Sequence, residues 1–300
     1  MVQRDPKLET TLSACIDGRI GRPVHAFQHV GSTMDVAHEL AAAGAEEGTL
    51  VWATRQEQGR GRLGRTWLSP EGGLYISILL RPTRPPTELP QLSLVAGLAA
   101  AQAIQEHANL FPSIRWPNDL LINGKKVGGI LVEASSSVRS GLRAQGSPAP
   151  ALASPPRLWP KADRGGGPGG QLPTALSPQP SALYAVIGIG INVTTQLKDL
   201  PETATSLSAS GAGCDPCQLT GALCRRFEAW YDVWTSQGFG PIREALRAWM
   251  GHFGQPVHIN AGSSRFEGTA TDLDESGRLL VRLDSGLVRA FEMGEVTLLR

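Results

Sequence analysis

The stretch that most constrains this chain runs from residue 56 to residue 67 and reads Q-E-Q-G-R-G-R-L-G-R-T-W. Three glycines alternate in it with three arginines: Gly59, Arg60, Gly61, Arg62, Gly64 and Arg65. Glycine lets a backbone approach a ligand closely and adopt positive φ. Arginine carries a fixed fork of donors that fits carboxylate or phosphate oxygens. The pattern predicts a loop that closes over an anion.

This loop lies in the chain between two apolar stretches, residues 48–54 and 73–80, which the sequence predicts as buried strands. Two interpretations fit it: an arginine–glycine segment that grips nucleic acid, or a clamp for a nucleotide or an acyl phosphate. The formal net charge of the chain is only +1. Because a dedicated nucleic-acid domain carries a basic surplus, the charge favours the clamp.

The composition is that of an ordinary globular protein, with 41% hydrophobic and 18% charged residues in a chain of 300. No apolar run reaches the roughly 20 residues that a membrane span needs. The first residues lack the charged-then-apolar pattern of a signal sequence. We therefore expect a cytoplasmic protein with no membrane partner.

Two of the four cysteines, Cys214 and Cys217, form a C-x-x-C pair. Such a pair is half of a zinc site or a redox pair, but no second pair completes it. Asp215-Pro216, inside the pair, is typical of a helix N-cap followed by proline. The sequence favours reduced thiols at the start of a helix, with zinc as the alternative.

The rest of the chain alternates helical and strand patterns. Ser32 with Asp35 fits a variant of the capping box at the start of a helix, and Asn123-Gly124 predicts a two-residue hairpin turn. Helices are predicted at 8–15, from 33 onward, and at 89–108, 216–234 and 241–250. Further strands are predicted at 24–29, 114–116, 120–122, 125–133 and 183–193, the last two as hairpin partners.

Residues 135–181 differ from everything around them. They are rich in proline, glycine, serine and alanine and have hardly any apolar periodicity, so we predict a disordered insertion. It is either a tolerated loop extension or a tail that binds a partner or nucleic acid. From residue 255 onward, five short strand patterns in under fifty residues predict a small closed barrel.

Five motifs, in this order, make the chain resemble the catalytic core of bacterial biotin–protein ligases, also called biotin–[acetyl-CoA-carboxylase] ligases. They are Gly31-Ser32-Thr33, Gln56 with the loop 59–65, Trp116-Pro117-Asn118-Asp119, Lys125-Lys126-Val127-Gly128-Gly129-Ile130, and Gly188-Ile189-Gly190-Ile191-Asn192. The resemblance covers about residues 24–134 and 183–300. Two features depart from the family: Met34 stands where the family usually has asparagine, and the insertion is atypical.

The resemblance implies an α+β fold: a class II synthetase-like mixed sheet flanked by helices, followed by a small SH3-like β-barrel. We expect a catalytic domain at residues 1–250, with the insertion at 135–181, and the barrel at 251–300. The first 23 residues are too few for the DNA-binding domain of the family's repressor members. We therefore expect no DNA partner and no operator-binding role.

The implied reaction has two steps. Biotin and ATP form biotinoyl-5′-AMP and pyrophosphate, and a lysine of a biotin carboxyl carrier protein, of acetyl-CoA carboxylase or a related enzyme, then takes the biotinoyl group. Mg²⁺ is expected mainly on the ATP phosphates, with Asn118 and Asp119 as candidate protein ligands. The chain is expected to be a monomer or a homodimer.

The resemblance also assigns residues. Lys126, Arg60 and Arg62 are the candidate catalytic residues. Biotin is assigned to Ser32, Thr33, Met34, Gln56, Gly59, Arg60, Gly61, Arg62, Lys126, Gly128 and Gly129. ATP is assigned to Arg62, Arg65, Trp67, Asn118, Asp119, Lys126 and Asn192.

From the residues alone, several of these have a second interpretation. Lys126 follows a tight turn and begins a strand, so it is either a well-fixed cation or a solvated lysine. Trp67 is either an aromatic ligand surface or core, and Ser32 and Thr33 also cap a helix. Other functions to weigh are a lipoate or octanoate ligase, a nucleic-acid-binding protein, and a biotin sensor without catalysis.

Overall fold

The computed structural model describes residues 3–136, 183–261, 264–292 and 294–298. Its helices are α1 (Pro6–Cys15), α2 (Thr33–Ala42), α3 (Gln91–Ala108), α4 (Pro216–Gln237) and α5 (Gly240–Leu246). The first seven strands are β1 (Val24–Val30), β2 (Leu50–Gln56), β3 (Gly73–Leu80), β4 (Ser113–Arg115), β5 (Asp119–Ile122), β6 (Lys125–Ser136) and β7 (Leu183–Asn192). The last five are β8 (Pro256–Ala261), β9 (Ser264–Leu273), β10 (Leu279–Leu283), β11 (Val288–Phe291) and β12 (Glu295–Leu298).

A seven-stranded mixed sheet in the order β1-β2-β3-β7-β6-β5-β4 forms the main body. β1 and β2 are parallel, and the other neighbours are antiparallel. Helices cover both faces, since Ile76 of β3 packs in the cluster that includes α3 and Leu79 packs in the cluster that includes α2. A strand covered on both faces needs apolar residues at successive positions, which explains why β3 is buried throughout.

The predicted hairpins are confirmed. Asn123 and Gly124 have φ of 51° and 76°, as the two central residues of a type I′ turn require. β6 and β7 pair over their whole length, with Gly129 opposite Gly190. The glycine-rich centres of these two strands therefore lie side by side in the middle of the sheet.

Three sequence predictions need correction. Ser135 and Ser136, assigned to the insertion, continue β6 and pair with Tyr184 and Leu183, because the ladder to β7 extends to the end of that strand. The rest of the predicted insertion, residues 137–181, lies outside the described residues. α5 ends at Leu246 rather than at residue 250, and the chain from there turns toward the last sheet.

The third correction concerns the start of α2. Ser32 caps the helix as predicted, and its Oγ accepts a hydrogen bond from the Met34 N–H at 3.3 Å. Asp35 pairs instead with the guanidinium of Arg60, although the capping-box pattern predicts that it returns the cap bond. A carboxylate gains more from a guanidinium than from a neutral amide, and only the folded chain brings Arg60 within reach.

The last five strands form an antiparallel sheet in the order β11-β10-β9-β8-β12. Two hydrogen bonds join this sheet, and the segment between α5 and β8 that leads into it, to the edge of the main sheet. The Trp116 indole N–H donates to the Gly277 carbonyl at 3.0 Å, and the Ile114 N–H donates to the Trp249 carbonyl at 2.7 Å. Both bonds hold β4 and the residues after it, which border the cavity described below.

Two further sequence predictions can be compared with the structure. Asp215 caps α4 as expected, accepting from the N–H groups of Cys217 and Gln218. All four cysteines are free thiols.

Of the helices in the described residues, none combines the length and the apolar character that crossing a membrane requires.

We expect His252 to make folding stability fall as the pH drops. This imidazole is 3% exposed at the junction with the last sheet. Burial, and next the charge of Arg115, lower its pKa from 6.5 to about 4. The unfolded chain then binds the proton more tightly than the folded chain, so protonation below pH 6.5 favours unfolding. Between pH 7 and pH 5 this one group should cost about 2 kcal/mol.

The measurement is urea unfolding at pH 7 and pH 5 for the wild type and for His252→Phe, which keeps a ring but cannot titrate. The difference in unfolding free energy between the two pH values should shrink by about 2 kcal/mol in the variant. The exposed His29, changed to Gln, is the matched control. If the wild type and His252→Phe lose the same stability on acidification, His252 does not cause the pH dependence.

Candidate active site

A cavity of about 310 Å³ lies between the loop of residues 57–67 and the strands β2, β3, β6 and β7. Its volume is near the low end of small-molecule sites. Most of the predicted site residues line it: Ser32, Thr33, Met34, Gln56, Arg60, Gly61, Arg62, Arg65, Trp67, Asn118, Asp119, Lys126 and Gly129. These residues come from four of the five motifs, and Gly188, Ile189 and Gly190 of the fifth motif line the cavity as well.

One end of the cavity is polar and well fixed. Thr33, at the start of α2, donates to the Gln56 side-chain oxygen from both its N–H, at 2.8 Å, and its hydroxyl, at 3.0 Å. The Ser77 hydroxyl donates to Thr33 Oγ1 at 2.9 Å. Gln56 in turn donates to Ser69 Oγ at 2.9 Å. Buried hydroxyls held this way can exchange partners with a small polar ligand group without moving the backbone.

The wall next to this polar end is apolar. Met34 is 4% exposed and packs against Gly188 of β7. A Cβ at Gly188 would lie 2.8 Å from the Met34 sulfur, closer than real contacts allow. The absence of a side chain at Gly188 therefore makes room for the thioether. Met34 therefore forms part of an apolar wall of the cavity.

The arginine–glycine loop is a small hydrogen-bonded hairpin. The Trp67 N–H donates to the Gly59 carbonyl at 2.9 Å, and the Gly61 N–H donates to the Arg65 carbonyl at 2.7 Å. At the tip, Leu63 has a φ of 57° and is 71% exposed. A Cβ at Gly59 would lie 2.4 Å from the Trp67 carbonyl oxygen, so the neck of this hairpin needs glycine.

Two arginines of the hairpin point to separate anchors. Arg60 forms ion pairs with Asp35 and, at 3.1 Å, with Glu133. Burial alone would lower the pKa of Arg60, but the bonds and charges of these two carboxylates outweigh it and raise the pKa. Arg62 donates to the side-chain oxygen of Asn118 at 3.2 Å. The hairpin is thereby held over the cavity from both sides.

Lys126 sits beneath the hairpin in a cluster of charges. Its ammonium lies 2.5 Å from one oxygen of Asp119, and Arg115 lies 2.6 Å from the other oxygen. The backbone of Lys126 is fixed by a bond from its N–H to the Thr203 carbonyl and one to its carbonyl from the Thr205 N–H. Asp119 thus orients the ammonium by a salt bridge, and two cations share one carboxylate.

Trp67 covers the glycine-rich centre of the sheet. A Cβ at Gly190 would lie 2.6 Å from the indole nitrogen, and one at Gly129 would lie 3.3 Å from the ring. The Lys126 ammonium lies 5.2 Å from the ring centroid, within the range of a cation–π contact. The indole N–H is buried and bonds to nothing in the described part of the chain. The two glycines therefore make room for an aromatic floor that a ligand can meet.

Three predicted site residues are placed differently: Gly59, Gly128 and Asn192 are not among the described residues that line the cavity. Gly128 lies too close to the Gly190 carbonyl for a side chain. Asn192 is 2% exposed, and its amide donates to the Thr205 carbonyl at 2.9 Å. In this structure Asn192 supports the segment that fixes the Lys126 backbone.

The lining residues that the sequence did not predict include four outside all five motifs: Arg115, Thr203, Gly294 and Val296. Arg115 directly precedes the Trp-Pro-Asn-Asp motif, so a charge in a short strand beside that motif was an available signal. The other three carry no such signal. They reach the cavity because of the packing of the chain after β7 and of the last sheet.

Comparison with known proteins gives the class of protein. Residues 26–145 match the model of the Biotin/lipoate A/B protein ligase family, and residues 252–299 match the Biotin protein ligase C terminal domain. The chain is 34% identical over 278 residues to the Bifunctional ligase/repressor BirA of Bacillus subtilis, covering 89% of this chain and 72% of that protein. It is 29% identical to the Biotin--[acetyl-CoA-carboxylase] ligase of Paracoccus denitrificans, covering 82% and 88%.

Solved structures that resemble this chain are also biotin protein ligases. The biotin protein ligase from Aquifex aeolicus in complex with biotin and ATP has a TM-score of 0.67 and 27% identity, with 93% of this chain and 99% of that chain covered. The Leishmania major biotin protein ligase in complex with biotinyl-5-AMP has a TM-score of 0.50 and 26% identity, with 91% and 99% covered. The chain belongs to the biotin protein ligase family.

Proposed function

We propose that the cavity binds biotin and ATP side by side and that its residues divide between the two ligands. Biotin protein ligase activity itself follows from membership of the family. The observation that supports this arrangement of the two ligands is a cluster of charges beneath the arginine hairpin. In it, Lys126 and Arg115 both form ion pairs with the carboxylate of Asp119. This cluster puts fixed positive charge where two anionic ligands have to meet.

The proposed chemistry has two steps. A biotin carboxylate oxygen attacks the α-phosphorus of ATP, the bond to the bridging oxygen breaks, and pyrophosphate leaves. The ε-amine of a carrier lysine then attacks the acyl carbon of biotinoyl-5′-AMP, and AMP leaves with the electron pair. Both steps need positioning and charge stabilisation more than covalent help from side chains.

Lys126 is the proposed cation at the reacting oxygens. The carboxylate and the phosphate repel each other, and the five-coordinate phosphorus gathers further negative charge. Asp119 orients the ammonium, while Arg115 offsets the carboxylate charge, so the cluster keeps a net positive charge toward the cavity. Arg62, Arg65 and Asn118 line the same cavity and are proposed to contact the nucleotide.

Biotin is proposed to occupy the end formed by α2 and the centre of the sheet. Its polar ring atoms would meet Ser32, Thr33 and Gln56, whose donors and acceptors are already fixed. Its apolar part would lie against Met34 and the ring of Trp67. The hairpin then excludes water from the acyl-adenylate, which water would hydrolyse.

We propose that Mg²⁺ is bound mainly by the ATP phosphates. The two protein ligands suggested by the sequence do not fit a metal here, since both oxygens of Asp119 are ion-paired and the Asn118 oxygen accepts from Arg62. In the described parts of the chain no group of three His, Cys, Asp or Glu side chains could hold a metal ion. ATP-dependent enzymes commonly hold Mg²⁺ through few carboxylates and the phosphates.

The names of the relatives indicate a biotin carrier protein as the second substrate. We infer that it is the carrier of acetyl-CoA carboxylase or of a related carboxylase, and that the reaction takes place in the cytoplasm. Whether the enzyme acts as a monomer or a homodimer stays an expectation. A lipoate or octanoate ligase and a nucleic-acid-binding protein are not favoured, because the C-terminal match and the named relatives are biotin ligases.

The test is biotin-dependent exchange of pyrophosphate into ATP by the purified protein with Mg²⁺, followed by labelling of a carrier domain. We expect exchange with biotin and much less with lipoate or octanoate at the same concentration. Transfer should stop when the target lysine of the carrier is changed to arginine. Exchange that appears with lipoate or octanoate but not with biotin would contradict the substrate assignment.

A further inference from the structure

A connected group of charged and polar side chains holds the arginine hairpin from outside the cavity. We call Asp35, His38, Arg60, Glu133 and Tyr184 the Arg60 bracket. Arg60 belongs to the hairpin, Asp35 and His38 to α2, Glu133 to β6 and Tyr184 to β7. The bracket therefore ties the hairpin to the helix that starts at the polar end of the cavity and to the two central strands.

The centre of the bracket is a single carboxylate oxygen. Glu133 Oε2 lies 3.1 Å from an Arg60 nitrogen and 2.9 Å from His38 Nε2. The other ring nitrogen of His38 lies 3.1 Å from the Tyr184 hydroxyl, and the two rings meet edge to face with centroids 5.6 Å apart. His38 is thus held at both nitrogens and contacts the same Glu133 oxygen as Arg60.

Only Arg60 of these five is among the described residues that line the cavity. Glu133 and His38 therefore do not line the cavity themselves, and Arg60 is the bracket residue that links them to it. The side chains of Arg60, Glu133 and His38 are between 24% and 35% exposed. Partial burial makes such pairs less screened than fully exposed ones.

We propose that Glu133 and His38 are positioning residues of the reaction: they hold Arg60, and with it the hairpin, over the bound acyl-adenylate. The proposal rests on the function proposed above. Losing the bracket shifts the hairpin toward open states, so the adenylate escapes before transfer. The attack on the α-phosphorus depends on the separate Lys126 cluster and changes less.

The test compares Glu133→Gln, which keeps the size of the side chain and removes its charge, with the wild type. Hydrogen exchange of the backbone amides of residues 59–65 in the ligand-free protein should become about 3- to 10-fold faster. Dissociation of biotinoyl-5′-AMP should accelerate by about the same factor, while the rate of adenylate formation falls less than threefold. His38→Phe, which keeps the ring contact with Tyr184, should shift both readouts in the same direction by less.

The matched control is Glu88→Gln, which breaks the partly buried Arg84–Glu88 pair in a part of the chain that does not line the cavity. It should leave hairpin exchange and adenylate dissociation unchanged. A second comparison uses Arg60→Gln: if Glu133 acts through Arg60, adding Glu133→Gln to that variant should have almost no further effect.

Unchanged exchange of residues 59–65 in Glu133→Gln would overturn the proposal. So would a full effect of Glu133→Gln in the Arg60→Gln background, because Glu133 would then act by another route. The exchange measurement needs no ligand and no catalysis. A wild type that forms no biotinoyl-5′-AMP would overturn the proposed function and the retention step, and the exchange result would still decide whether Glu133 holds the hairpin.

Discussion

Lys126→Ala should reduce biotin-dependent adenylation by about 10- to 100-fold, since a charge-assisted hydrogen bond is worth roughly 1.5–3 kcal/mol and each 1.4 kcal/mol is a factor of ten in rate. In the wild type the ammonium is held 2.5 Å from Asp119 and contacts the Trp67 ring. Its removal takes away a positioned cation and leaves Asp119 with Arg115 alone, so the cluster loses its net positive charge. Pyrophosphate exchange at saturating biotin and ATP measures the loss.

Lys125→Ala is the control for this prediction. Lys125 is the adjacent residue of the same strand but is exposed, because successive side chains of a strand point to opposite faces. We expect less than a twofold change in exchange. Thermal midpoints of both variants should be measured to confirm that they fold. Comparable losses of activity in two folded variants would show that the cation at residue 126 has no special role.

Arg62→Gly should make the enzyme release its adenylate. Arg62 donates to Asn118 at 3.2 Å and lines the cavity, where we propose that it contacts the nucleotide. Losing the guanidinium should weaken retention by roughly 1.5–3 kcal/mol, and the new glycine should raise the cost of ordering the hairpin by about 0.5–1 kcal/mol. Because Arg62 is partly exposed, we expect the lower part of this range, about 10- to 100-fold faster dissociation.

Two readouts follow for Arg62→Gly: the dissociation rate of biotinoyl-5′-AMP in a filter-binding chase, and biotin attached to a bystander protein such as serum albumin. Albumin labelling should rise, because free adenylate acylates exposed lysines. Arg62→Ala removes the guanidinium without adding a glycine, so it separates the two effects on retention. Arg55→Ala, which removes an exposed arginine of β2, is the control. If Arg62→Gly forms adenylate, retains it as long as the wild type does and leaves albumin unlabelled, Arg62 does not help to keep the adenylate bound.

The sequence by itself determined the parts of this protein that depend on neighbours along the chain. The apolar run at residues 73–80 predicts a buried strand, and the structure confirms it as β3. Asn123-Gly124 predicts its turn, because both residues tolerate positive φ. Asp215-Pro216 predicts the start of α4. The ordered motifs indicate the family, and nearly all of the assigned residues meet in one cavity.

Only the tertiary structure decided which side chains meet across the chain. Asp35 has the spacing of a capping residue, yet the hairpin brings Arg60 within reach and the ion pair takes precedence. Asn192 is buried and donates a hydrogen bond to the Thr205 carbonyl. Arg115 and Lys126 both form ion pairs with the Asp119 carboxylate. Such contacts join elements far apart in sequence, and their energies depend on distance and burial. Those two quantities exist only once the sheet has brought the elements together.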